Sequence, residues 1–383
     1  MAASFNIKNE LSWSGTPFSL YSKLNEYENS NIETLNLSSY HNFFNVRINA
    51  FKNCDIKESL KHRKFVSKLG PSALNPLNSK ILHKKCSKFD YDVLIEFGGF
   101  QPHKKLPPYY IYTDATHDLK LDYFDMYGFL PFGSENDSID SIKRASKAVK
   151  KIYQEASGIF CMSEWLANSL IKTTGVPKEK VHVVYAGANW HNAILPKNIS
   201  AKKIDDRNEI HLILVGVDYK GKGMDLAIDS VKYLNSKKGK KYYLHLCGVK
   251  NIPNENNCDY IINHSFVDKN SLIKLLNDSD IFVLPSRFDC FGISFVEAMT
   301  LGLPCVGRNI CAMPEIIDEG INGELITKDD PIELAEKIEK ICYDAEIYKS
   351  YSKEALKKAK KFTWEKVAEN MIKIIENDMN KKY

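Results

Sequence analysis

The stretch SRFDCFGISFVEAM, Ser286 to Met299, carries two carboxylates, Asp289 and Glu297, eight positions apart on either side of a Phe-Gly turn. Two acids at the lip of a sheet either cap local backbone or offer acceptors to a ligand. On spacing alone Ser294-x-x-Glu297 reads as a capping box, the glutamate reaching back to the Ser294 N–H, and an isolated Asp289 reads as a turn residue. A second segment, LILVGVDYKGKGMDLAIDSV, places Lys220 and Lys222 in a loop just before a helix, where backbone N–H groups form an anion-binding nest. The plainer reading of each lysine is a solvated charge.

The elements that must position these residues follow from the apolar pattern. From EIHLILVG onward, short apolar runs (YYLHLCG, DIFVLPS, PCVGRN, GELIT) alternate with helical stretches, which implies a parallel sheet with helices on both faces. The first half repeats the rhythm more loosely in DVLIEFGG, YYIYTDAT, GIFCMS and KVHVVYAG. Two doubly wound units are expected: residues 1–193, then a polar, proline-interrupted linker at 194–208, then 209–362. The helical stretch FTWEKVAENMIKIIEND carries Phe362, Val367, Met371 and Ile375 on one stripe, and its helix, 363–383, is expected to pack back on the first unit. In such sheets ligands gather at the carboxyl ends of the strands. DIFVLP ends near Ser286, so Asp289 falls in that loop, Gly292 permits close backbone approach, the helix is expected to start near Ser294, and Gly302 and Pro304 close it.

Composition bounds the remaining readings. A chain of 383 residues with 44% apolar and 26% charged side chains is ordinary for a globular protein of two domains, and no run of eighteen apolar residues is present. The opening MAASFNIKNELSWSG lacks a secretory pattern, so a cytoplasmic location is expected. Nine scattered cysteines fit buried thiols better than a disulfide framework, and no metal is expected. The net charge of +5 is mildly basic, with clusters between Arg47 and Lys68 and in KRASKAVKK. Such patches favour phosphates or an anionic membrane surface, here at most peripheral contact at the inner face, and a solvated face is the plainer reading. No nucleic-acid motif is present.

The whole stretch PSRFDCFGISFVEAMTLGLPCVGRN…MPEIIDEGINGEL closely resembles the donor-site signature of glycosyltransferase family 4, over about forty residues. That family has the GT-B architecture, two Rossmann-like domains facing a cleft. It carries a Glu, seven residues, then Glu; here Asp289 replaces the first and Glu297 keeps the second. The resemblance implies that Asp289 contacts the hydroxyls of the transferred sugar, that Glu297 grips the ribose, and that Phe291, Gly292, Ile293 and Ser294 face the sugar and diphosphate. Lys222-Gly223 fits the family's diphosphate-neutralising pair. Lys220 takes the place of the usual arginine, without the bidentate fork, and Cys311-Ala312 replaces a Gly-Gly pair.

Three pieces of the first half resemble a subset of the family. Gly15 and Thr16, in SWSGTPF, match a glycine loop near the diphosphate or acceptor. In YYIYTDAT the buried strand is expected to end at Thr113-Asp114, where many members carry a histidine near the reacting carbon; the resemblance implies a catalytic or substrate-orienting role for Asp114, with His117 three residues on, and a strand-end Asp is otherwise a helix cap. CMSEWLANSLIKTTGVPKEKVHVVYAGAN matches the strand, helix and turn before the hinge, with Ser163 and Gly187 as cleft candidates and Trp165 and Leu166 as core.

The resemblance implies a retaining, metal-independent transferase that moves a sugar, a hexose by type, from a nucleotide diphospho-sugar, UDP favoured over GDP, to a glycan, lipid-linked or protein acceptor. The nucleotide-sugar is a substrate and no cofactor is required. Two other readings stand beside it: a sugar-nucleotide epimerase or hydrolase of the same fold, and a catalytically silent subunit that binds a protein partner, to which Asp289, the missing arginine and the missing histidine lend weight.

Overall fold

The computed structural model describes residues 2–3, 8, 15–26, 34–36, 92–97, 108–128, 130, 138–191, 193–204, 208–253 and 258–381. The basic cluster between Arg47 and Lys68, together with Cys54 and Cys86, lies outside them. The chain divides into two compact units, Met1–Tyr185 with Val367–Tyr383, and Ala186–Lys366.

In the first unit the order is β1 (Ala2–Ala3), α1 (Thr16–Asn25), β2 (Leu35–Asn36), β3 (Leu94–Phe97), β4 (Tyr109–Thr113), α2 (His117–Tyr127), α3 (Ile139–Glu155), β5 (Gly158–Cys161), α4 (Glu164–Ser169) and β6 (Val181–Val183). The strands form one parallel sheet in the order β2-β1-β3-β4-β5-β6. β3, β4 and β5 are buried along their full length, as strands covered on both faces must be. Leu94, Ile111, Ile159, Leu166 and Leu170 share one core with Ile152 of α3, and Trp165 packs half-buried against it. The basic run of α3 faces solvent through Lys143, Arg144, Lys147, Lys150 and Lys151, while Ile142, Ala145, Val149 and Ile152 face inward.

The second unit runs β7 (Glu209–Val215), α5 (Met224–Ser236), β8 (Lys241–Cys247), β9 (Ile261–Ser265), α6 (Lys269–Asp278), β10 (Ile281–Leu284), α7 (Ile293–Thr300), β11 (Cys305–Arg308), α8 (Met313–Ile316), β12 (Gly323–Ile326), α9 (Pro331–Ile341) and α10 (Ala345–Ala359). Its sheet is again parallel, in the order β12-β11-β10-β7-β8-β9. Cys247, Cys305 and Cys342 are buried thiols here, as Cys161 is in the first sheet. Of the polar segment, Ile194 N–H donates to Asn270 Oδ1 (3.0 Å) and Lys202 N–H to Ser352 Oγ (2.7 Å), both inside this unit.

On one half-buried face of the sheet three imidazoles form a chain across adjacent strands. His211 Nδ1 and His245 Nε2 are 3.0 Å apart, and His245 Nδ1 and His264 Nε2 are 2.9 Å apart. Burial and the neighbouring rings press His245 down to about 4, and burial also lowers His264.

The last helix, α11 (Trp364–Asn380), opens in the second unit and from Val367 is part of the first. Val367 and Met371 are buried, and Tyr110 on β4 donates its hydroxyl to Asp378 (3.1 Å). Among the described residues no helix is long and apolar enough to cross a membrane.

Candidate functional site

The second sheet reverses its strand order between β7 and β10, which are adjacent and parallel (Leu212 beside Ile281, Ile213 beside Phe282). Such a reversal leaves a crevice outside the carboxyl ends of the two strands, because their following loops depart to opposite faces. The loop after β7 holds Lys220 and Lys222; the loop after β10 holds Asp289. Both loops end on a glycine in the left-handed conformation that caps a helix: Gly223 (φ 66°) before α5 and Gly292 (φ 78°) before α7.

The loops are fastened to each other. Arg287 N–H donates to Gly221 O (2.8 Å), and its guanidinium donates to Lys220 O (2.6 Å), Asp225 (2.9 and 3.2 Å) and Asp329 (2.7 Å). A Cβ at Gly223 would lie 2.4 Å from Pro285 O, so only glycine allows this approach. With the backbones so close, Lys222 Nζ reaches Asp289 Oδ2 at 2.7 Å, and Gly292 N–H donates to Asp289 Oδ1 at 3.1 Å. The pair is partly accessible, Lys222 at 24% and Asp289 at 14% of side-chain surface. Lys220 is exposed, Phe291 and Gly292 are buried, and Ile293 and Ser294 are half-buried. Cys311 sits in the left-handed region (φ 49°), where a side chain costs about 1 kcal/mol that glycine would not. Burial pushes its thiol up to about 12, with Asp289 and Lys222 as its charged neighbours.

The capping-box reading of Glu297 does not hold. Gly292 takes the cap and α7 begins at Ile293, so Ser294 already lies inside the helix and Glu297 stands beyond the first turn. Glu297 Oε1 instead accepts the Asn189 N–H at 3.2 Å. Burial pushes the Glu297 carboxyl up to about 7, against the pull of that N–H and of the Lys269 ammonium.

In the first unit, Gly15 (φ 86°) caps α1 and Thr16 is its buried first residue. Asp114, half-buried, follows β4, and His117 opens α2. Ser163 is fully buried after β5 and accepts the Leu166 N–H (3.1 Å) as the cap of α4. Asp114, His117 and Ser163 thus share the carboxyl edge of the first sheet. Gly187 belongs to the second unit, where a Cβ would lie 2.6 Å from Trp364 N. Asn189, Lys269 and Arg287 were not foreseen. Arg287 could have been, as a charge directly after a buried strand; the other two are joined to the site only through space. A cavity of about 500 Å³ lined by Lys202, Asn277, Asp280 and Leu301 lies at the start of β10, the opposite edge of the sheet from Asp289. Among the described residues no group of three or more His, Cys, Asp or Glu is arranged to hold a metal.

The chain superposes on sucrose-phosphate synthase from Thermosynechococcus elongatus with a TM-score of 0.61 at 16% identity, covering 80% of this chain and 78% of that one. The Anabaena protein HepE, solved with UDP-glucose, gives 0.57 at 16% identity, over 78% and 82%. The fold is GT-B. Within this GT-B chain, residues 197–358 match the family model described as glycosyl transferases group 1. An uncharacterized glycosyltransferase of Methanocaldococcus jannaschii is 27% identical over 223 residues, 57% of this chain and 59% of the relative. The chain spans about half the length of the curated relatives it matches.

Proposed function

We propose that the protein is a glycosyltransferase that takes a sugar from a nucleotide diphospho-sugar bound by its second unit. The observation that carries this reading is the Lys222–Asp289–Gly292 cluster with Glu297 at the reversal of the second sheet, within the stretch that matches the group 1 model. The crevice offers what such a donor needs: a cation and N–H groups at a helix start for a diphosphate, and carboxylates for hydroxyls. Glu297 takes the ribose, Asp289 the sugar hydroxyls, and Lys222, Lys220 and the start of α7 the diphosphate.

The bond from the anomeric carbon to the diphosphate breaks as the acceptor oxygen bonds to that carbon, and the acceptor's proton passes to the departing phosphate. Charge that grows on the diphosphate is met by Lys222 and the backbone at Gly292, groups already in place before the reaction. Attack occurs on the face the diphosphate leaves, so configuration is retained, and no metal takes part. A UDP-sugar is the favoured donor and a hexose the transferred sugar. The first unit supplies the acceptor side, with Asp114, His117 and Ser163 along its edge and Gly15-Thr16 at its glycine loop; the acceptor is a glycan, a lipid-linked sugar or a protein. The basic face of α3 fits peripheral contact with an anionic membrane from the cytoplasmic side.

Calorimetric titration of UDP, GDP, ADP and their sugar conjugates into the protein and its Glu297→Ala variant tests the assignment. One preferred nucleotide and at least about tenfold weaker binding by the variant are expected, since one or two charged hydrogen bonds are each worth roughly 1.5 to 3 kcal/mol. Equal binding by the variant removes Glu297 from the site. Absence of binding by folded protein would turn the reading to a silent partner subunit.

A further inference from the structure

Asn189 is 1% exposed and uses three of its groups on three elements of the second unit. Its N–H donates to Glu297 Oε1 on α7 (3.2 Å), its carbonyl accepts from Lys269 Nζ at the start of α6 (2.9 Å), and its side-chain Oδ1 accepts from Trp364 Nε1 at the start of α11 (3.0 Å). The segment is held on both sides of that point. Gly187 packs against the Trp364 backbone, Trp190 Nε1 donates to Thr300 Oγ1 (2.7 Å) at the end of α7, and His191 Nε2 lies 2.8 Å from Lys269 Nζ.

From this geometry we infer that Asn189 is a positioning residue of the donor site: through its backbone N–H, and the Lys269 ammonium that it anchors, it fixes the Glu297 carboxylate in the orientation and ionised form that a nucleotide ribose requires. The inference rests on the donor-binding reading above. Its physical basis is a division of labour within one carboxylate. Oε1 is taken by the chain's own N–H, which fixes the plane of the group, and the second oxygen remains to accept from a vicinal diol. Glu297 is half-buried, and the charge of a carboxylate withdrawn from water is costly unless cations and donors face it. The groups that face Glu297 are the Asn189 N–H and Lys269 from α6, with His191 bonded to Lys269 in turn.

Trp364→Phe keeps an aromatic ring and removes the donor that seats the Asn189 side chain. Lys269→Met keeps the length of the side chain and removes the charge. Both leave the acids and lysines of the crevice in place. The experiment is the titration of UDP and GDP into the protein and both variants between pH 6 and pH 8.5. With the Glu297 carboxyl near 7, affinity of the unaltered protein should rise about tenfold over that range as the group ionises. In the variants the rise should move to higher pH by about half a unit or more, so that binding at pH 7 falls at least about twofold and recovers toward pH 8.5. A merely structural loss would weaken binding equally at every pH. Asn189→Asp, which keeps the acceptor for Trp364, should remain closer to the unaltered protein at pH 8.5 than Asn189→Leu does. Unchanged pH profiles in both variants, with nucleotide still bound, overturn the inference alone. Absence of nucleotide binding by the unaltered, folded protein overturns it together with the donor reading.

Discussion

At the scale of single residues, the ion pair between Lys222 and Asp289 carries the sharpest consequence. Removing the cation leaves Asp289, among the described residues, with the Gly292 N–H as its partner in a half-enclosed crevice, and leaves a diphosphate with Lys220 but without the lysine held against Asp289. Lys222→Met should therefore lower the transfer rate by roughly 10²-fold, the scale of losing one electrostatic donor. The melting temperature should move by only a few degrees, because the pair is partly solvated. Transfer assays with the preferred donor beside a thermal melt separate the two; an unchanged rate removes Lys222 from the chemistry. Both residues were legible as positions, each in a short loop after an apolar strand. Their contact was not: 67 positions separate them, and they meet because the sheet reverses between β7 and β10. Glu297 shows the converse limit. A Ser-x-x-Glu pattern specifies a cap only if the serine starts the helix, and the left-handed Gly292 starts it two residues earlier.

Among the elements, the approach of the β7 and β10 loops can be measured with two glycines that share a backbone conformation and differ in space. Gly223 (φ 66°) has Pro285 O at 2.4 Å from its would-be Cβ, whereas Gly320 (φ 78°) has nothing within 4 Å. Gly320→Ala should cost only the left-handed penalty, about 1 kcal/mol, while Gly223→Ala must also force backbone apart and should cost at least twice as much in urea denaturation. Equal costs would mean that the loops do not touch. The imidazole row predicts a pH response of the second sheet. His245 and His264 have folded-state values below the ordinary 6.5, so the unfolded chain takes up protons first. The His245 contribution is full above about pH 6.5 and is lost as the pH falls toward about 4, and that of His264 is lost in the same direction. Denaturation midpoints at pH 7.5 and 5 should fall with acid, and the fall should be shallower in His245→Phe. The alternation of strand and helix in the second half was readable because parallel strands buried on both faces are continuous apolar runs. The histidine row was not, since its members come from three strands whose adjacency is a property of the sheet.

At the scale of the molecule, the acids and lysines assigned to the donor fall inside Ala186–Lys366. Hydrogen exchange with and without UDP should show new protection in 216–223 and 285–297, and protection at 114–117 instead would move the donor to the first sheet. The division of the chain also bears on how the protein is made. Because the first unit is built from Met1–Tyr185 and Val367–Tyr383 while the second is one unbroken stretch between them, synthesis delivers the second unit whole before the last piece of the first exists. On a ribosome that adds about 5–20 residues per second, Tyr110 waits for Asp378 through some 270 further residues, roughly 13 to 54 seconds. The unit that is translated first is thus the unit that is finished last.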